Sequence, residues 1–513
     1  MSEGLLLGID EGTSAVKAAL FDRELRPVAQ ARRAVPLSHP HPGWVEQDPE
    51  LILEAVVDAV AEVLAHTGGR PVLAAGLDHQ GESVLAWDTE AGRPLTPVIV
   101  WQDKRQLQLL EGVGGEVVAR SRLPLDPYFS AGKLAWLLAH DERVQHHAAR
   151  GTLRMGTVDA FLADRLAGRF ATDLSTASRT QLLAFGGRDW DEQLLSAFTV
   201  ERRWLPTVGP TFGALGEMRH ERWPVALPLC AQLVDQQAAL AGSGAVRSGE
   251  LKATYGTGVF VLGLTDGPAL AEGLLPTVAW AAPAPTDASP RALDMAPPGA
   301  DRPAPPTALG EIAYALDGGV FAAGSLLDWL ARNLGLAEDA ASLAVAAATV
   351  PDGAGVMVLP ALTGIGAPWW RPQARGVIAG LHPGVRPAHL ARAALEAIAW
   401  RVADIVEAMA TVAPVAGLRV DGGLTGDPTL LQIQADALGL PLTVGEADTT
   451  VRGAAMLAGV GAGAFANLDD AAARLASGRV VNPNISADER ARRRTRWRAF
   501  VQVSTSLEAT TCS

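Results

Sequence analysis

Twice in this chain a short apolar strand runs into a glycine-threonine turn and returns as a second strand. The first instance is IDEGTSAVKAALFD at 9–22, and the second is ELKATYGTGVFVLGL at 250–264, about 245 residues later. In the first, Leu5 to Ile9 reads as a buried strand and Val16 to Phe21 as its hairpin partner, with Gly12 supplying the turn. A design that recurs at this distance implies two α/β domains of related architecture, each opening on its own hairpin. A chain of 513 residues is in any case too long for one hydrophobic core. The expected division is 1–245, 246–470 and a helical tail, 471–513.

Between the hairpins, strands alternate with amphipathic helices. Asp48-Pro49-Glu50 reads as a cap, a proline in the first turn and an early acid, followed by Ile52, Val56, Val60 and Val63 at helical spacing. Further helices are expected at 322–333 and 388–410, and TTVRGAAMLAGVGAGAFA (449–466) reads as a helix whose small residues permit close packing. Residues 281–308 are dense in Pro and Ala, have neither period, and read as an exposed insertion.

Composition removes several classes of function. The net charge of −13 argues against a nucleic-acid surface. The one basic run, Arg490 to Arg494, reads as a solvated helix face. Cys230 and Cys512 are the only cysteines, which excludes a disulfide framework and suits a reducing cytoplasm. No stretch approaches the length of a membrane span, so no membrane partner is expected.

The turns and the acids beside them carry the candidate chemistry. Main-chain amides in a tight Gly turn, helped by a Thr or Ser hydroxyl, hold phosphate. Gly12-Thr13-Ser14 and Gly256-Thr257-Gly258 meet that description, although either could be a purely structural hairpin. Asp10 cannot bind phosphate directly; it can do so through Mg²⁺, or it can simply cap its turn. Asp235, in AQLVDQQAALAG (231–242), is either a helix N-cap or a general base for an attacking hydroxyl. Rival nucleotide motifs fail: Pro127 stands where a Walker A loop before Gly132-Lys133 needs glycine, and GVGAGA (459–464) follows a helix, not a strand. His79 reads as a surface or core-edge histidine.

The blocks IDEGTSAVKAALFD, PGWVEQDPE, VIVWQDKR, DPYFSAGKLAWLL, GTVDAFL, DLSTASRT, VDQQAAL, TYGTGVF, DGGVFAAGSLLDWL, PALTGIGAPWW and RVDGGLTGD run in order from about residue 5 to 463. Together they resemble the FGGY family of carbohydrate kinases, most closely its glycerol kinase branch. The resemblance implies two actin-like, or ribonuclease-H-like, domains with ATP and a small polyol or sugar in the cleft between them. It implies that Asp10 acts on Mg²⁺, that Thr13, Ser14, Gly256 and Thr257 hold phosphates, and that Asp235 is the general base, with Gln236 beside it near metal and substrate. Gly324, Gly422 and Gly423 are implied at the nucleotide, with Asp427 near the adenine.

For the acceptor the resemblance implies Glu82, Trp101, Tyr128, Asp235 and Phe260. Gly81 stands where glycerol kinases carry an arginine that pairs with the following glutamate. That loss removes donors and leaves a side-chain-sized space, so either glycerol is bound with fewer contacts or a larger polyol or ketose (tetritol, pentitol, ketopentose) is admitted. Glu11 stands where glycerol kinases usually carry Gln. The expected activity is transfer from MgATP to a primary hydroxyl, in the cytoplasm, by a homodimer or homotetramer. The rivals from other classes are an actin-like ATPase and a sugar sensor without turnover.

Overall fold

A computed structural model describes residues 4–285, 308–415 and 417–506 of the chain. Strands Leu5–Gly12 and Ala15–Phe21 pair antiparallel from Leu6 with Phe21 to Gly12 with Ala15, so Thr13 and Ser14 make the reversal. Gly12 therefore ends the first strand instead of supplying the turn. A Cβ at Gly12 would lie 3.3 Å from the Ala15 carbonyl oxygen, closer than side chains ordinarily come.

By compactness the chain divides into two units, 1–246 with 276–314 and 448–475, and 247–275 with 315–447 and 476–513. The expected boundary near 245 is thus one of several points where the chain passes from one unit to the other.

The first unit is built on a six-stranded sheet in the order Phe212–Met218, Leu227–Val234, Val72–His79, Leu5–Gly12, Ala15–Phe21, Pro27–Ala34. The strand Leu5–Gly12 runs parallel to Val72–His79, which in turn runs parallel to Leu227–Val234. Such strands are covered on both faces, which is why they read as nearly continuous apolar runs. One face takes the helix Pro49–Leu64, whose Asp48 accepts the Glu50 and Leu51 amides at 2.9 and 3.4 Å. Its Ile52, Val56, Val60 and Val63 pack in one core with Leu5, Leu7 and Ile9.

The opposite face takes the helix Thr449–Gly461, and here the small residues are needed. A Cβ on Gly8 would lie 1.9 Å from the Val451 carbonyl oxygen, and one on Gly453 would lie 1.8 Å from that of Ala238. Backbones approach at these points with nothing between them, which ties residues 448–475 to the first unit.

The second unit repeats the plan. Its hairpin Glu250–Tyr255 and Val259–Thr265 closes at 256–258, the strand Gly417–Asp421 pairs parallel with Glu250–Tyr255, and Leu442–Val444 follows parallel to that. In both units, then, a hairpin's first strand is flanked by two successive parallel strands. Helices Gly324–Arg332 and Pro387–Met409 fall within two residues of their expected limits and supply Leu326, Leu330, Leu395 and Ile398 to this unit's core.

Two expectations about the chain's periphery are corrected. The strand Leu275–Pro283 runs into the segment read as an insertion, with Ala281 buried; its two prolines, Pro276 and Pro283, stand next to or at its ends, and the Ala284 amide still donates to the Ala308 carbonyl at 2.9 Å. The remainder of that segment, 286–307, lies outside the described residues, as does Cys512. The basic run of the helix Ala487–Ser506 is not simply solvated, because Arg494 is buried and pairs with Asp404 at 2.6 Å. Among the described residues no helix is long and apolar enough to cross a membrane.

Candidate active site

Parallel strands end on the same side of a sheet, and in the first unit that rule gathers acids from distant parts of the chain. Asp10 is in register with Asp78, and Val234 is in register with His79, so Asp10, Asp78 and Asp235 stand at one sheet edge. Asp235 is the first residue of the helix Asp235–Gly242; the capping position belongs to Val234, so the N-cap reading is set aside. Its Oδ1 accepts the Gln236 amide at 2.6 Å. The Gln236 Oε1 is buried without a hydrogen-bond partner.

This edge is short of positive charge. Burial pushes the Asp10 carboxyl up to about 6, against the pull of Lys17, which is itself paired with Asp448 at 2.8 Å. Burial also raises Glu11 and Asp78 well above the usual carboxylate range; Asp10 and Asp235 add to the rise at both. Glu11 accepts Gln80 Nε2 at 2.8 Å. Asp78 is wholly buried and neither of its oxygens receives a bond from an N–H or O–H group of the described chain. When protonated, it donates to Asp10.

Among the described residues no three acidic, histidine or cysteine side chains are arranged to hold a metal unaided. A hydrated Mg²⁺ asks for only one or two carboxylates. Carboxylates clustered at one sheet edge are a donor set that suits it.

Beside this edge lies an aromatic cluster of mixed chemistry. Trp101 Nε1 donates to Thr13 Oγ1 at 3.0 Å, and its ring meets that of Tyr128 edge-on with centroids 5.7 Å apart. Thr13 thus joins the first hairpin turn to the aromatic cluster, and its own hydroxyl hydrogen remains able to donate. Ser14, next in the turn, is exposed.

Glu82 is buried and holds a left-handed φ of 60°, a strained state for a side chain of its size. Its Oε1 accepts Arg179 Nε at 2.7 Å. Beside it, the space expected at Gly81 is taken: a Cβ there would lie 2.9 Å from Val234 Cγ1.

The remaining candidates belong to the second unit. The amides of Ala323, Gly324 and Ser325 donate to the carbonyls of Thr257, Gly256 and Thr257 at 3.0, 3.1 and 3.1 Å, which seats the start of the helix Gly324–Arg332 on the hairpin turn. A side chain on Gly324 would strike Gly256, with Cβ 2.7 Å from its carbonyl oxygen. Gly422 has φ 96°, and a Cβ on it would lie 2.4 Å from the Tyr255 carbonyl oxygen; a Cβ on Gly423 meets nothing within 4 Å. The structure therefore brings Gly256, Thr257, Gly324 and Gly422 together around one turn. Phe260 is on the second hairpin strand, opposite Thr254. Asp427 caps the helix Pro428–Leu438, taking the Thr429 amide at 2.8 Å.

Four residues of the site are not evident from the sequence. Arg179 lies in DLSTASRT, and Asp78 and Gln80 lie in LDHQGES, where polar residues following an apolar strand are the available signal. Lys133 lies beside Gly132 with no Walker motif around it, yet its buried ammonium donates to the carbonyls of Pro127, Tyr128 and Phe129. His79, expected near the surface, is wholly buried, 3.0 Å from Thr176 Oγ1 and 3.4 Å from Asp159 Oδ1.

Known proteins align with this chain along nearly its whole length. The models of the N-terminal and C-terminal domains of the FGGY family of carbohydrate kinases match residues 5–242 and 251–462. The glycerol kinase of Citrifermentans bemidjiense is 39% identical, over 98% of this chain and 99% of its own. That of Thermus brockianus is 42% identical over 90% of each. The crystal structure of Plasmodium falciparum glycerol kinase with ADP superposes with a TM-score of 0.87 at 26% identity, covering 98% of each chain. The xylulose kinase of Lactobacillus acidophilus, at 20% identity and a TM-score of 0.84 over 99% of each chain, shares the fold.

Proposed function

The chain belongs to the FGGY family of carbohydrate kinases, and from that premise we propose that it transfers the γ-phosphoryl group of ATP to a primary hydroxyl of glycerol. The observation that carries the reading is the Trp101–Thr13 hydrogen bond of 3.0 Å, because it fastens the aromatic wall of an acceptor pocket to a phosphate-type turn. An acceptor hydroxyl and a transferring phosphoryl group need that adjacency before anything else.

In the proposed reaction the acceptor oxygen attacks phosphorus in line, the bond to the ADP oxygen breaks, and the hydroxyl proton passes to a carboxylate oxygen of Asp235. Glu82 and Tyr128 read the substrate hydroxyls, while Trp101 and Phe260 cover its carbons. The amides and hydroxyls of Thr13, Ser14, Gly256 and Thr257 stabilise charge on the moving group. Gly324, Gly422 and Gly423 give the nucleotide close access to backbone, with Asp427 near the base. Asp10 and Asp235 would hold Mg²⁺, which supplies charge neutralisation across the phosphates when bound. The metal assignment is supported by the gathering of Asp10, Asp78 and Asp235 at one sheet edge. We assign the enzyme to the cytoplasm, as a homodimer or homotetramer.

Against a larger acceptor stand the glycerol kinase relatives at 39% and 42% identity, and Val234 limits the room next to residue 81. The test is ADP release from MgATP with glycerol, erythritol, xylitol or xylulose as acceptor, and with Asp235→Asn as the blank. Glycerol is expected to give the highest kcat/KM, and ADP release that ignores every acceptor would refute the proposal.

A further inference from the structure

The pocket assigned above to the acceptor contains an acid held by a cation. The Glu82 side chain is 4% exposed, so its oxygens rely on partners that the protein supplies. The residue before it, Gly81, has none to offer. The partner comes from elsewhere in the unit: Arg179, at the end of the helix Leu174–Ser178, is also 4% exposed and donates Nε to Glu82 Oε1 at 2.7 Å. The same guanidinium lies 5.5 Å from the centre of the Tyr128 ring and 5.8 Å from that of Phe129. One side chain therefore touches two of the groups assigned to reading the polyol.

Position 81 is also crowded. Its Cβ would lie 2.9 Å from Val234 Cγ1, and both residues are buried. A side chain there would require Val234 to shift or to lose its branches.

We propose that Arg179 is the positioning residue that holds Glu82 fixed as a hydroxyl acceptor, and that Val234 keeps position 81 from supplying a second cation. The inference rests on the reading of this pocket as the acceptor site of a polyol kinase. A carboxylate accepts at both oxygens, so the bond at Oε1 leaves capacity for a substrate hydroxyl. Because Arg179 acts through Glu82 and Tyr128, its effect belongs to the polyol and not to the nucleotide.

The experiment compares the full-length wild type with Arg179→Lys, Arg179→Gln and the triple variant Arg179→Gln/Gly81→Arg/Val234→Ala. It measures KM for glycerol, KM for ATP, kcat, calorimetric glycerol binding and melting temperature. Arg179→Gln is expected to raise the glycerol KM about tenfold or more with the ATP KM within about twofold, as loss of a charge-assisted bond predicts. Arg179→Lys should fall between, since an ammonium keeps the charge without the planar fork. The triple variant should recover most of the glycerol KM.

An unchanged glycerol KM in Arg179→Gln, or a rise in both KM values together with a lower melting temperature, would overturn the role of Arg179. A triple variant that folds without recovery would overturn the role of Val234. A wild type that neither phosphorylates nor binds glycerol would instead bring down the acceptor-site reading, and this inference with it.

Discussion

Lys133 donates its ammonium to the main-chain carbonyl of Tyr128 at 2.6 Å, and to those of Pro127 and Phe129 at 2.9 and 3.2 Å. The side chain is buried in the helix Ser130–His140 and folds back on the segment that leads into it. Replacing it by methionine keeps the volume and takes the ammonium away from all three carbonyls, of which that of Pro127 keeps Gln106 Nε2. The expected cost is about 1–3 kcal/mol in a denaturant titration, the range for a buried polar group that loses its partner. The glycerol KM should also rise, because Tyr128 loses the anchor of its own backbone. Burial also brings the ammonium down to about 7, below its unfolded value of 10.5. Between those values the unfolded chain holds a proton that the folded chain has released, so this group makes stability rise with pH there. Lys133→Met should remove that part of the pH dependence of the melting temperature.

The acids at the sheet edge predict a pH dependence of the opposite sign. The Asp10 carboxyl is raised by burial from 3.8 to about 6, and Asp78 lies higher than its ordinary value for the same reason. A carboxyl whose pKa is raised by folding contributes stability that is fully present below the unfolded value and lost as pH rises through the folded one. In chelator this group should therefore weaken the fold as pH climbs from about 4 through 6. Mg²⁺ competes with the proton for the same oxygens, so the rise in melting temperature on adding it should grow across that window. Asp78→Asn should make the metal-free protein more stable at pH 7.5 and flatten its pH profile. A Mg²⁺ effect independent of pH would count against the assignment of Asp10 to the metal.

How much of this was legible in the sequence depended on range. The hairpins, the helix Pro49–Leu64 and its cap, and the close packing of the helix Thr449–Gly461 are local patterns, and they could be read along the chain. That this last helix packs on the first unit could not, since the contact of Gly453 with Ala238 joins residues more than 200 positions apart. The same limit applies at the site. Asp10 and Asp235 advertise themselves beside a turn and a helix start, whereas Arg179 acquires meaning only by reaching Glu82. The space at Gly81 is the sharpest case, because a missing side chain shows in the sequence and the Val234 methyl that fills its place does not.

Gly453 gives a test of that long-range contact. A Cβ at this position would lie 1.8 Å from the Ala238 carbonyl oxygen, a backbone atom that cannot turn aside as a side chain would. Gly453→Ala must push the helix Thr449–Gly461 away from the helix Asp235–Gly242. Overpacking costs about 1–3 kcal/mol where neighbours yield, so a loss at or above that range is expected in thermal or urea unfolding. The displaced helix begins with Asp235, so kcat should fall more than KM for ATP rises. A comparable exchange at Gly423, whose Cβ would meet nothing within 4 Å, is the matched control for packing and should leave stability nearly unchanged.

The second unit is anchored at its C-terminal helix by a single buried acid. Asp404 accepts Arg401 Nη1 at 2.8 Å, Arg494 Nη1 at 2.6 Å, Trp369 Nε1 at 3.1 Å and Trp497 Nε1 at 3.2 Å. Arg401, Asp404 and Arg494 are all buried, so the carboxylate is a counter-charge for two guanidinium groups, of which Arg494 also pairs with the half-buried Glu407. Asp404→Asn preserves the shape and one carbonyl acceptor but removes that charge from both cations. Breaking a buried ion pair from one side costs about 3–5 kcal/mol, and a loss in that range is expected here, tempered at Arg494 by Glu407. Arg494→Gln should cost less than Asp404→Asn, since Arg401 then keeps its partner and only the tie to the helix Ala487–Ser506 is lost. The double variant Asp404→Asn/Arg494→Gln should be less destabilised than the sum of the two, because the cation stranded by one change is removed by the other. Urea titrations of the three variants measure the coupling. Strict additivity would mean that the carboxylate and the guanidinium act independently, and that the C-terminal helix is held by its other contacts, the pairs of Arg494 and Arg498 with Glu407 and the packing of Trp497.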